Sequence, residues 1–128
     1  MNSKINMTEY NLIDSSLWID YLVNGNFKEI IETEEKLLLA TISIIEIKKK
    51  LSKLKIPNKE INDKMHFIKK QSIIIDLDEK IADKASELVI EKNLPIADSI
   101  VYASALIHNA ILLTLDNDFR SLNNVKIF

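Results

Sequence analysis

Leu94-Pro95-Ile96-Ala97-Asp98-Ser99-Ile100-Val101-Tyr102-Ala103-Ser104-Ala105-Leu106 is a run of apolar and small residues carrying a single acid. The pattern predicts a buried helix with Asp98 near its start. Pro95 suits the first turn, where its fixed φ is helical and its missing N–H is not needed. An ionised carboxylate taken out of water without a partner loses several kcal/mol or more. A helix N-terminus returns only roughly 0.3–1 kcal/mol of that. Either Asp98 caps its own backbone, or something cationic sits beside it. A few residues on, Ala110-Ile111-Leu112-Leu113-Thr114-Leu115 reads as a short buried strand ending at Asp116-Asn117-Asp118-Phe119. A buried helix feeding a short apolar strand is the repeating unit of a parallel sheet covered on both faces.

The same alternation runs through the rest of the chain. Tyr10-Asn11-Leu12-Ile13-Asp14 is a strand that ends in an acid, with Ser15 or Ser16 as the cap of the next helix. Leu17, Trp18, Tyr21 and Leu22 recur at helical spacing until Asn24-Gly25-Asn26, with the only Gly, stops them. A second helix is expected over 27–34, with Phe27, Ile30 and Ile31 on one face. Those residues and the preceding helix either belong to the core or line a groove for a partner helix. Residues 36–41 form a second strand, and a helix over 43–54 turns Ile44, Ile45, Ile47, Leu51 and Leu54 inward. Pro57-Asn58 breaks the chain, and Asn58 caps a helix over 60–70. Residues 72–76 make a third strand, Asp78 caps the helix after it, and Val125-Lys126-Ile127-Phe128 adds an edge strand. The expected fold is one α/β domain over 9–128, a parallel sheet of four to five short strands flanked by helices. Residues 1–8 are expected to be a flexible lead-in.

Composition narrows the chemistry. A chain of 128 residues, 47% hydrophobic, can bury one proper core. No apolar run approaches the ~18–20 residues that span a bilayer. The polar start, Met1 to Glu9, lacks the apolar centre of a signal peptide. No membrane partner and a cytoplasmic location are therefore expected. The absence of Cys excludes disulfides and thiolate metal sites, and two distant His argue against a His-rich zinc site. Oxygen ligands remain, and they favour Mg²⁺ or Mn²⁺. The net charge of −2 does not announce a nucleic-acid binder. Between Lys48 and Lys70, however, nine Lys face only Glu60 and Asp63. That stretch is either a solvated helical face or a patch that tracks phosphates.

Ligands of open parallel sheets bind beyond the carboxyl ends of the strands. Asp14 and Asp116 end strands there, and Glu46 and Asp98 lie in the first turns of helices, so all four can converge on one side. Two carboxylates about 4 Å apart repel by about 4 kcal/mol at an effective dielectric near 20. Such a cluster is either partly protonated or built for a divalent metal.

At these residues the chain resembles the PIN domains, and among them the VapC-type toxins of toxin–antitoxin pairs. Ile13-Asp14-Ser15-Ser16-Leu17-Trp18 is similar to the family's opening Asp-(Thr/Ser)-Ser element, and Thr41-Ile42-Ser43-Ile44-Ile45-Glu46-Ile47 to its strand-to-helix Glu element. Pro95-Ile96-Ala97-Asp98, followed by small residues, resembles its Pro-x-x-Asp helix. Thr114-Leu115-Asp116-Asn117-Asp118-Phe119 resembles its closing Thr-x-Asp-x-Asp-Phe element. The resemblance implies a Mg²⁺- or Mn²⁺-dependent endoribonuclease that leaves 5′-phosphate and 3′-hydroxyl ends. It implies catalytic and metal-binding roles for Asp14, Glu46, Asp98 and Asp116, with Ser15 and Thr114 in support; Asp118 either joins Asp116 or caps the turn after it. It also implies an RNA substrate such as tRNA or rRNA, a cognate antitoxin and a homodimer. Lys48, Lys49, Lys50 and Arg120 are the candidate RNA contacts. The Ile47-Lys48-Lys49-Lys50 run departs from the small or apolar stretch with Gly often found in relatives, which bears on substrate preference and leaves the acids intact.

Two other classes fit parts of the pattern. A receiver domain of signalling wants an adjacent acidic pair after the first strand, where this chain has Ser15-Ser16, and a Lys after a late strand, where it has Asp116. A non-catalytic PIN-like module that binds RNA or protein would have no use for four mutually repelling carboxylates.

Overall fold

A computed structural model describes residues 10–128, so the expected lead-in over 1–8 lies outside the described residues. Five strands and six α-helices alternate: β1 (Asn11–Ile13), α1 (Ser15–Asn24), α2 (Lys28–Ile31), β2 (Leu37–Ala40), α3 (Thr41–Lys53), α4 (Asn58–Gln71), β3 (Ser72–Ile75), α5 (Glu79–Lys92), α6 (Ile96–Ile107), β4 (Ile111–Thr114) and β5 (Val125–Ile127). A short 3₁₀ turn, Asn117–Phe119, follows β4. The strands form one parallel sheet in the order β3-β2-β1-β4-β5.

Period-two alternation divides the strands between two cores. Leu12, Leu38, Ala40 and Leu112 face α5 and α6, where Ile81, Leu88, Val101 and Ala105 close over them. Ile13, Leu37, Leu39 and Leu113 face α1, α3 and α4, under Leu17, Trp18, Ile47, Leu51, Ile61 and Ile68. Both faces are thus apolar, which is why the strands read as unbroken hydrophobic runs.

Several local expectations are corrected. The helix expected over 27–34 is a single turn, because Phe27 takes a left-handed φ of 65° and Glu32 leaves helical geometry. Ile45 and Leu54 are exposed rather than inward: Ile44, Ile47 and Leu51 hold the buried stripe of α3, and Ile45 lies about a third of a turn or more from Ile47 and Leu51. Asn58 is the first residue of α4 and Pro57 takes the cap position, so Asn58 does not cap. Pro95 likewise stands just before α6. Asp78 caps α5 as expected, accepting the Ile81 N–H at 2.9 Å. Of the residues expected at a partner groove or in the core, Trp18 and Ile31 are fully buried in the core.

From β1 the chain moves outward through β2 to β3, then returns to place β4 on the other side of β1. The crevice beyond the carboxyl ends of β1 and β4 is therefore the topological switch point, where open α/β sheets bind ligands.

Candidate metal centre

The β1–β4 register pairs Ile13 with Leu113. It therefore delivers Asp14 and Thr114 side by side at the switch point, with the Asp14 N–H bonded to the Leu113 carbonyl at 3.0 Å. Asp14 occupies the cap position of α1, yet its side chain makes no capping bond. Its Oδ2 instead accepts from the Thr114 hydroxyl at 2.7 Å and the Ser16 hydroxyl at 2.8 Å. Each hydroxyl has one proton and spends it on that oxygen. The 3.3 Å approach between Ser16 and Thr114 is then a close contact and not a third donation. As acceptors, Ser16 Oγ takes the Leu115 N–H at 3.0 Å and Thr114 Oγ1 takes the Asp116 N–H at 2.9 Å. The two hydroxyls thus tie the end of β4 to the start of α1 and hold one carboxylate oxygen.

Neither Ser15 nor Ser16 serves as the helix cap; both lie in the first turn of α1 and turn to the acids. The Ser15 hydroxyl donates to Glu46 Oε1 at 3.2 Å, joining α1 to α3. Sequence reasoning saw Ser16 only as a possible cap and missed its bridge. The signal was present: two hydroxyls directly after a strand-ending Asp can each reach a different carboxylate within one helical turn.

On the other side of the crevice, Asp98, Asp116 and Asp118 each present an oxygen such that all three lie within 4.8 Å of one another. Asp116 takes part by capping the 3₁₀ turn, its Oδ1 accepting the Asp118 N–H at 2.9 Å, which folds Asp118 back toward it. Asp98 is the third residue of α6, behind Pro95 at the cap position, so it does not occupy the N-cap. The structure thus brings Asp98, Asp116 and Asp118 into one group. Asp14 and Glu46 flank that group and feel its charge, without belonging to the tight set.

The electrostatics follow from this crowding. Burial pushes the Asp98 carboxyl up to about 7, reinforced by the charges of Asp116, Asp14 and Asp118 and by a hydrogen bond with Asp118. Burial also raises Asp14, against the bonds from Thr114, Ser16 and the Ser15 backbone, and Asp116 adds to the rise. Glu46 is raised by burial first and then by Asp14 and Asp116, while the Ser15 bond and the Lys49 charge pull the other way. The cationic partner expected beside Asp98 is not a basic side chain within ion-pair distance among the described residues. Among the described residues the ion pairs are Lys64–Glu60 and Lys84–Glu87, both on exposed helices away from the crevice. An all-oxygen donor set, with three carboxylate oxygens within 4.8 Å of one another and no ion pair to them among the described residues, suits a hard divalent cation.

Lys48, Lys49 and Lys50 are exposed on α3, and Arg120 is exposed at the end of the 3₁₀ turn that carries Asp118. No helix among the described residues is long and apolar enough to cross a membrane.

Fold and site together define a doubly wound α/β domain with an acidic cluster at its switch point. The PIN domain model matches residues 12–125, nearly the whole chain, and the chain belongs to the PIN domain family. No curated protein sequence matches it. Among solved structures, a toxin–antitoxin complex from Klebsiella pneumoniae superposes with a TM-score of 0.76 at 20% identity, over 91% of this chain and 95% of that one. VapBC2 from Rickettsia felis, bound to a DNA fragment from its promoter, gives 0.72 at 19% identity, over 93% and 97%. VapC20 from Mycobacterium tuberculosis, a toxin that cleaves the sarcin–ricin loop, gives 0.70 at 10% identity, over 88% and 95%. At these identities the likeness is one of fold.

Proposed function

We propose that this chain is a metal-dependent endoribonuclease acting as the toxin of a toxin–antitoxin pair. The observation that carries the reading is the Asp98–Asp116–Asp118 group, three carboxylate oxygens within 4.8 Å of one another, none of them ion-paired among the described residues. Asp98, Asp116 and Asp118 would hold a Mg²⁺ or Mn²⁺ ion, with Asp14 and Glu46 completing the acidic cage. When bound, such an ion lowers the pKa of water and neutralises charge building on a phosphodiester. The chain's own residues do the rest. Thr114 and Ser16 fix Asp14 by two bonds donated to its Oδ2. Ser15 orients Glu46. The N-terminus of α1, directly after Asp14, favours an incoming phosphate.

The PIN family membership and the solved toxin–antitoxin complexes of the same fold support the toxin assignment. A cognate antitoxin and a homodimer belong to the same proposal. Of the residues considered for a partner groove, Tyr21, Leu22, Phe27 and Ile30 are part-buried, packed against the core. Tyr21 and Leu22 border an open cavity of about 400 Å³ with Gly25, Lys28 and Phe67, in which Tyr21 stacks on Phe67 at 6.0 Å between ring centroids.

The test is incubation of a pool of structured RNAs, tRNAs and rRNA fragments included, with Mg²⁺, with Mn²⁺ and with EDTA, using wild type beside Asp98→Asn. Cutting that needs the metal and disappears in the variant is expected. No cutting of any RNA, with no metal binding, would instead favour a non-catalytic RNA- or protein-binding module.

A further inference from the structure

A polyanion approaching five acids is repelled unless cations nearby hold it, and the topology decides which lysines can. The Lys-rich stretch divides into two parts. Helix α4 runs without a break into β3 at Ser72, so Lys69 and Lys70 stand at the amino edge of the sheet, opposite the carboxylates. Lys64, on the same helix, is engaged by Glu60 at 3.6 Å. Helix α3 instead starts directly after β2 at the carboxyl edge and carries Glu46 to the site.

At about 100° and 1.5 Å per residue, Lys49, Lys50 and Lys53 lie within about 60° of Glu46 around α3, and about 4.5, 6 and 10.5 Å further along its axis. Lys48 is about 160° away from Glu46 on the same wheel. Lys49, Lys50 and Lys53 are exposed, and none is ion-paired among the described residues. Lys49 is near enough for its charge to act on Glu46.

We propose that Lys49, Lys50 and Lys53 form a ridge along which one RNA strand leaves the carboxylate cluster. The ammonium groups hold successive backbone phosphates on one side of the bond to be cut. The proposal rests on the ribonuclease reading and gives that site a direction: substrate runs down α3, and Lys53 belongs to the interface while Lys48 does not. Lysine fits this task as a mobile point charge that grips phosphate without reading bases.

The experiment measures binding of a fluorescein-labelled single-stranded RNA of mixed sequence by anisotropy across a KCl series, in EDTA so that no strand is cut. Each lost phosphate contact to a single strand lowers the slope of log affinity against log salt by about 0.7. The Lys49→Ser/Lys53→Ser pair should therefore lower it by about 1.4, which is about 25-fold weaker binding near 0.1 M salt. The Lys69→Ser/Lys70→Ser pair removes the same charge at the far edge and should keep the wild-type slope. An unchanged slope in the first pair, or an equal fall in both, overturns the ridge. The slope is read on binding alone, so it reports on the ridge even if wild type fails to cleave; a wild type that binds no RNA overturns the ridge, while the ribonuclease reading stands or falls with the metal-dependent cleavage assay.

Discussion

Replacing Asp98 by Asn should make the metal-free protein more stable at alkaline pH while removing its use for a metal. The carboxyl rises from 3.8 to about 7 in the folded chain, through burial and then the charges of Asp116, Asp14 and Asp118. Between those two values the folded state binds a proton that the unfolded state has released. Stability linked to Asp98 is therefore full below about pH 4 and is lost as pH climbs through 7. One pKa unit corresponds to 1.36 kcal/mol, so the shift taken at face value would make the ionised group cost about 4 kcal/mol. Asp98 is only half-buried, and solvent screening reduces this to about 2 kcal/mol. Asn keeps the shape and removes the charge. In EDTA at pH 8, Asp98→Asn should raise Tm by about 5–10 °C, and at pH 4 the two proteins should melt within about 2 °C of each other. Differential scanning fluorimetry across pH reads this directly, without knowledge of substrate. A variant less stable than wild type at pH 8, or a difference independent of pH, would refute the claim that crowded carboxylates strain this site.

Four further outcomes follow from particular positions. Thr114→Val removes a donor to Asp14 and leaves the Asp116 N–H without its acceptor; it should cost about 1–3 kcal/mol in denaturant unfolding and weaken Mn²⁺ binding. Ile47→Ala, at a fully buried position, should cost about 2–5 kcal/mol by the same measurement. Ile45→Ala, where the side chain is 67% exposed, should stay within about 0.5 kcal/mol of wild type. At Gly25, which ends α1 with a φ of 75°, an added Cβ meets only Lys28 Cε at 3.9 Å, so Gly25→Ala should cost about 1 kcal/mol through backbone strain alone.

The parallel sheet was legible because every strand is a short apolar run followed by a helical pattern, and because those runs are buried on both faces. Asp14 and Asp116 were legible as strand-end acids for the same reason. What sequence could not rank was the grouping of the acids. Asp14, Glu46, Asp98 and Asp116 looked equivalent, with Asp118 either joining Asp116 or capping the turn. Asp118 enters the tight group because the Asp116 carboxylate captures the Asp118 N–H and curls the chain into a 3₁₀ turn, a bond invisible before folding. Ser16 was overlooked because a Ser after a strand is most simply a cap; only the β1–β4 register shows that its hydroxyl faces the end of β4. Ile45 was misplaced for a plainer reason. A helix as rich in Ile as α3 offers more apolar residues than one buried stripe accommodates, and period alone does not say which is left outside.

The most direct test of the central claim, that these carboxylates are built to hold a divalent ion, is calorimetric titration of Mn²⁺ into the protein at pH 8, beside Asp116→Asn. Saturable binding to wild type, accompanied by proton release as the pH is lowered toward 7 and abolished in the variant, is the expected result. Wild type that takes up no Mn²⁺, or a variant that binds as well as wild type, would contradict it.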